Sequence, residues 1–126
     1  MPTQVKYKVV KNYVDLEISG KGTAEYVVSE SRKLWGQMDH ICRQEKQHRV
    51  LARMQLQHPL PIRYSMDIAR NAQKAGWSPN YKLAFVTASD NQMTLQLVRS
   101  FMVHLGYEVA VFSSRRTARK WLQEQD

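Results

Sequence analysis

The sequence predicts an α/β domain with a mainly parallel sheet, and three features carry that prediction. Strand-like stretches alternate with stretches of helical period and crossover length. Leu83-Ala84-Phe85-Val86-Thr87 is a nearly unbroken apolar run, as expected of a parallel strand covered on both faces. Gly76 and Gly106 stand where two of the helices should stop. With 126 residues, 43% hydrophobic and 24% charged, the chain holds material for one domain over 1–126 with one contiguous core.

Val5, Tyr7 and Val9 alternate with polar residues, and after Lys11-Asn12 the alternation resumes as Val14, Leu16 and Ile18 against Asp15 and Glu17. This is the period of half-buried strands and predicts an antiparallel hairpin, with Asp15 and Glu17 on its solvent face. Gly20-Lys21-Gly22 predicts a turn, having neither the Walker nor the dinucleotide glycine spacing. Thr23 is placed to cap a helix with Glu25 in its first turn, and that helix should run as one piece to Arg43–Gln47. Its apolar residues Val27, Val28, Leu34, Trp35, Met38, Ile41 and Cys42 share one stripe.

Arg49 to Leu56 is strand-length and ends in His58-Pro59-Leu60-Pro61, which continues neither a central strand nor a helix interior. Ser65 is placed to cap the next helix, which Gly76 closes before the turn Trp77-Ser78-Pro79-Asn80. After the apolar strand, Ser89 and Gln92 have capping-box spacing, opening a helix with Leu97, Val98, Phe101, Met102 and Leu105 inward. Val109 to Phe112 is the last strand, and a helix with Ala118, Trp121 and Leu122 on one side finishes the chain. The element order is β-β-α-β-α-β-α-β-α, with right-handed crossovers between the parallel strands.

Composition narrows the class of function. One cysteine, Cys42, rules out a disulfide scaffold, no stretch approaches the roughly 20 apolar residues of a membrane span, and the N-terminus lacks an apolar signal region. A cytoplasmic protein without a membrane span is expected. The net charge of +8 suggests nucleic acid, but residues 1–63 carry 11 basic and 6 acidic side chains and residues 64–126 carry 8 and 5. No tail concentrates the excess. Two clusters stand out, Arg43, Lys46, Arg49, Arg53 and Arg63 with His48 and His58 among them, and Arg115, Arg116, Arg119 and Lys120. Both read as solvated faces.

Three passages give the chain a family likeness. Ile18-Ser19-Gly20 before Thr23-Ala24-Glu25, Lys82 to Thr87, and Tyr107-Glu108-Val109-Ala110-Val111-Phe112 with Ala118, Trp121 and Leu122 resemble the SpoIIAA-like, or STAS-type, small α/β proteins. The resemblance spans most of the chain, and its last passage is the most specific. It implies a right-handed β-α superhelix and a non-enzymatic binding or regulatory module, with an apolar or lipid-like ligand or a protein partner. The chain departs from the family in two places. Arg53 stands where members often carry an aspartate at the end of the third strand, and Arg63-Tyr64-Ser65-Met66-Asp67 stands where anti-sigma-factor antagonists carry a phosphorylatable serine in a D-S-S-G-like run. Ser65 is in the corresponding place without the pattern, so a helix cap is the plainer expectation than phosphorylation. Leu83 to Leu122 also looks like the opening of a response-regulator receiver, but only Asp90 follows the strand where a cation-binding acidic pair would be needed.

No catalytic constellation emerges. His40, His48, His58 and His104 form neither H-x-x-x-H nor H-E-x-x-H, and one cysteine supplies no zinc site, so no metal and no cofactor are expected. Cys42 follows Trp35 by seven residues on the same stripe and reads as a buried, inert thiol rather than a nucleophile. The neighbourhood of Arg63, Tyr64, Ser65, Met66, Ser89 and Asp90 is the best candidate for a ligand or partner cleft, because the ends of adjacent parallel strands converge there. The methionines, Met38 and Met54 among them, are suited to an adaptable apolar pocket as well as to core filling. The expected function is a non-enzymatic binding or regulatory module using that cleft. Nucleic-acid binding through the basic clusters is the alternative, and open sheet edges allow a symmetric homodimer.

Overall fold

The computed structural model describes residues 3–20 and 22–124. Met1, Pro2 and Lys21, which the sequence reading places before the first strand and in the glycine turn, lie outside them. Strand β1 (Gln4–Val10) turns through Lys11 and Asn12 into β2 (Tyr13–Gly20), with Val10 opposite Tyr13. Lys11 takes a positive φ of 52°, the backbone sense that a two-residue hairpin turn requires. Then follow α1 (Ala24–Ser29), α2 (Ser31–Glu45), β3 (Arg49–Leu56), a 3-10 turn (Ile62–Tyr64), α3 (Ser65–Lys74), β4 (Lys82–Val86), α4 (Ser89–His104), β5 (Glu108–Phe112) and α5 (Arg115–Gln123). The sheet is ordered β1-β2-β3-β4-β5, antiparallel between β1 and β2 and parallel elsewhere. Among the described residues no helix is long and apolar enough to cross a membrane.

The helix expected from Thr23 to Arg43–Gln47 is two helices. Thr23 caps the first as its spacing predicts, its hydroxyl accepting from the Tyr26 N–H at 3.3 Å. The break falls at Glu30, where Ser29 and Ser31 donate their hydroxyls to the carbonyls of Tyr26 and Val28, each at 2.7 Å. Serine hydroxyls that bond backbone carbonyls three residues earlier compete with the helical ladder. The glycine stops behave as expected. Gly76 and Gly106 have φ of +83° and +98°, and the residue after each donates its N–H back into the helix, Trp77 to Ala72 and Tyr107 to Met102, both at 3.0 Å.

Two apolar layers flank the sheet. On one face α2, α3 and α4 cover Val14, Leu16, Val50, Ala52, Leu83 and Phe85, all buried. Trp35 anchors this layer, edge-on to Trp77 at 5.1 Å and Phe85 at 6.1 Å, with its indole N–H donated to the Ile68 carbonyl at 3.1 Å. On the other face α5 lays Ala118 and Leu122 over Leu51, Ala84 and Tyr13. β4 is therefore buried on both sides, which is why it reads as an unbroken apolar run. The inward stripe of α4 differs from expectation. It runs through Asn91, Thr94, Leu95, Val98 and Met102, while Leu105 is exposed.

Asp15 is the largest departure from the sequence reading. It is buried, not solvent-facing, and its carboxylate accepts from Arg53 Nε at 2.9 Å and from an Arg115 terminal nitrogen at 2.6 Å. Glu17 is half-buried and pairs with Arg53 at 3.4 Å. The parity of the strand was right: Asp15 shares a face with Tyr13 and, across the register, Leu51. What covers that face is α5, from the far end of the chain.

A second polar contact fixes α2 to the start of β4. The Tyr81 hydroxyl donates to Asp39 at 2.6 Å, and Asp39 also pairs with Arg43 at 3.1 Å. Burial first, then the bond to Asp39, pushes the Tyr81 phenol up to about 12 from its ordinary 10. An unfolded chain binds fewer protons at Tyr81 than the folded one once the pH exceeds about 10, so this contribution to stability is full below about 10 and lost as the pH rises through about 12. Urea unfolding across that range should show stability falling, with a shallower fall in Tyr81→Phe. Equal slopes in the two proteins would refute the assignment to Tyr81.

Candidate functional site

The sequence-nominated residues fall where β3 hands over to α3 and β4 to α4. Leu60, in the proline loop, is buried, and its N–H donates to Asn91 Oδ1 at 2.7 Å while its carbonyl accepts from the Thr94 hydroxyl. Asn91 and Thr94 thus bring the start of α4 against the loop. Their signal in the sequence is polar side chains on the helical face that also carries Leu95, Val98 and Met102. The inward assignment to Leu97 and Leu105 passed over them.

Ser65 is not a helix cap. Tyr64 holds the cap position without a side-chain bond, and the Ser65 hydroxyl, on a residue only 2% exposed, donates to the carbonyls of Ile62 at 2.7 Å and Thr94 at 3.3 Å. A modifying enzyme would reach that oxygen only after α3 and α4 separate. The capping box of Ser89 and Gln92 is also absent. Ala88 occupies the cap position, and Gln92 donates its amide to the Thr87 carbonyl at 3.3 Å. Ser89 and Asp90 are exposed.

Arg63 and Tyr64 face α1 instead. Arg63 lies over the Tyr64 ring at 4.7 Å, and the Tyr64 hydroxyl donates to Glu25 at 3.2 Å. The backbone N–H of Glu25 first, then that hydroxyl, hold the Glu25 carboxyl below its ordinary range. Of the six nominated residues, the structure joins Arg63 to Tyr64 and Ser65 to α4, while Met66, Ser89 and Asp90 have solvent-exposed side chains. Ile62 and Met93 are likewise exposed, at 49% and 65%, in the 3-10 turn and the first turn of α4.

Beneath these turns lies an apolar cavity of ≈ 40 Å³. Ile18 and Met54 from the strands, Val27 from α1, Trp35 from α2, Leu60 from the loop and Ile68 from α3 line it. Ser31 is the polar residue in its wall, and its hydroxyl is already engaged with Val28. A void of this size admits a water only if polar partners hold it, so an apolar lining leaves it dry. The space at this end of the sheet is small and apolar rather than a polar cleft, and none of the six nominated residues lines it.

Cys42 is 1% exposed, in the same helical layer, and burial, with Asp39 adding to it, pushes its thiol up to about 12. At neutral pH it is a thiol, not a thiolate. Native protein should take up no iodoacetamide over hours and one equivalent on unfolding; labelling of the native chain would show a far more open helical layer.

No family model matches the chain, and no curated protein matches it in sequence. The fold and cavity alone therefore define its class: a five-stranded, mostly parallel α/β domain with an apolar cavity at the carboxyl ends of its central strands.

Proposed function

We propose that the protein is a non-enzymatic binding or regulatory module of SpoIIAA-like, STAS-type design, and that it takes a small apolar ligand between α1, the proline loop and the sheet. Support for the family reading comes from the strand order, which follows chain order, with α2, α3 and α4 on one face, as a β-α superhelix requires. The observation that carries the function is the apolar cavity under Leu60, at the end of the sheet where open α/β folds commonly hold ligands. Its ≈ 40 Å³ lies below the roughly 300 Å³ at which small-molecule pockets begin, so a ligand must widen it. Met38 and Met54 in its wall are unbranched and re-pack readily, and α1 is a separate short helix.

The test is native mass spectrometry of gently purified protein beside a denaturing spectrum, followed by titration with a bromine-substituted fatty acid. Trp35 lines the cavity, so a bound bromoacyl chain should quench tryptophan emission saturably, and Leu60→Phe should weaken the effect. An absence of both retained mass and saturable quenching would refute the apolar-ligand reading. Retention on DNA or RNA that falls steeply with salt would put nucleic-acid binding in its place.

A further inference from the structure

β1 is an edge of the sheet, and among the described residues no strand pairs with its outer side. Hydrogen-bonded pairs alternate with non-bonded ones along an antiparallel ladder. The two-residue turn at Lys11 and Asn12 makes Val10 and Tyr13 a bonded pair, so Lys8 with Asp15 and Lys6 with Glu17 are bonded pairs too. The N–H and C=O groups of Val5, Tyr7 and Val9 therefore point outward, where another strand can take them. Their side chains share the face of Ile18, Leu16 and Val14, which the helices cover, yet Tyr7 and Val9 are 40% and 41% exposed. Val5 and Tyr7 border an open groove of ≈ 520 Å³, whose opposite wall on α2 includes Lys33, Gly36, His40 and Ile41. Gly36 keeps that wall low. It stands inside α2 without a left-handed backbone, and a Cβ added to it would meet nothing within 4 Å. Glycine inside a helix is destabilising relative to alanine, so neither packing nor backbone conformation accounts for it, whereas close passage of another chain does.

Charge selects the occupant. Lys6 and Lys8 are exposed on the other face of β1. Across the ladder from them, Glu17 is held by Arg53 and Asp15 by Arg53 and Arg115, and neither lysine has an ion-pair partner among the described residues. A second copy of β1, paired antiparallel about an axis at Lys6, Tyr7 or Lys8, would set lysine directly against lysine, a destabilising cross-strand pair. No acidic side chain among the described residues lines the groove, and nearby Glu45 is engaged by the Tyr7 hydroxyl at 3.1 Å. We propose that β1 takes up an extended segment of a partner protein as an added strand, and that this segment alternates apolar with acidic residues. Its backbone pairs with Val5, Tyr7 and Val9, its apolar side chains enter the groove beside Tyr7 and Gly36, and its acidic ones meet Lys6 and Lys8. The groove and the apolar cavity have no residue in common, so this proposal and the apolar-ligand reading fail separately.

Fluorescence anisotropy of a labelled peptide that alternates valine with glutamate, equal in length to β1, tests it in the folded protein, with a valine and lysine peptide as control. Saturable binding of the acidic peptide alone is expected, with slower exchange of the Val5, Tyr7 and Val9 N–H groups in the complex. Gly36→Leu fills the groove and should abolish binding while the melting temperature holds or rises, because leucine exceeds glycine in helix propensity. Lys6→Gln with Lys8→Gln should weaken binding about tenfold, the scale of two cross-strand ion pairs. No saturable binding, equal binding of the two peptides, or binding unchanged by Gly36→Leu would overturn the proposal. So would sedimentation showing a dimer that Gly36→Leu dissociates, since a second copy would then hold the edge.

Discussion

Arg53→Ala is expected to lower the free energy of unfolding by about 3 to 5 kcal/mol, the cost of removing one partner from a buried ion pair. Asp15 has no exposed surface on its side chain, and Arg53 Nε sits 2.9 Å from one carboxylate oxygen while Arg115 holds the other at 2.6 Å. The Arg115 side chain is 45% exposed, so water competes for it, and Arg53 at 19% is the better-enclosed partner. With Arg53 gone, a carboxylate beside Leu51 in the middle of the sheet retains one solvated partner. Urea unfolding measures the loss, and Arg115→Ala should cost less. The double variant Asp15→Leu with Arg53→Met should recover most of the stability, because well-packed apolar groups replace a buried ion pair with little penalty. A change within about 0.5 kcal/mol for Arg53→Ala, the range of an ordinary surface substitution, would mean that water solvates Asp15.

The same ion pair shows where sequence reasoning stops. Alternation of period two identifies Asp15 and Glu17 as one face of β2, and the structure adds Tyr13 to that face. Alternation says nothing about what lies over that face. The cover is α5, whose Arg115 lies 100 residues from Asp15, and an apolar stripe on α5 is equally compatible with either side of the sheet. Signals contained within one element were legible by contrast. The apolar run of β4, the glycines that stop α3 and α4, and the Thr23 cap each involve groups a few residues apart. Capping by Ser65 and Ser89 failed because their neighbours offered competing geometry. Ser65 finds carbonyls on both sides of it in the folded chain, and Gln92 reaches the end of β4. The candidate site followed this division. None of the six residues nominated from the converging strand ends lines the apolar space, whose volume depends on how Val27, Leu60 and Ile68 meet from three separate elements.

Trp35→Ala joins the stability of the fold to the proposed function. Trp35 is 3% exposed, contacts Trp77 and Phe85 edge-on and donates to the Ile68 carbonyl. Truncation should cost about 3 to 5 kcal/mol, the usual range for a buried tryptophan or phenylalanine cut to alanine. A domain of this kind is stable by roughly 5 to 15 kcal/mol, so the variant should remain folded in the cold with a much reduced urea midpoint. Because Trp35 already lines the ≈ 40 Å³ void, its removal should merge the two spaces into one apolar cavity large enough for an aromatic ring. Added indole, which restores the missing ring, should then raise the melting temperature of the variant and leave the wild type unchanged. At a hundredfold excess over its dissociation constant the recovery would be about 2.7 kcal/mol. A variant that loses less than about 1 kcal/mol and ignores indole would have collapsed around the deletion. That result would mean the walls formed by α1 and the proline loop close inward easily, and a layer that closes so easily would not hold a pocket open for an apolar ligand.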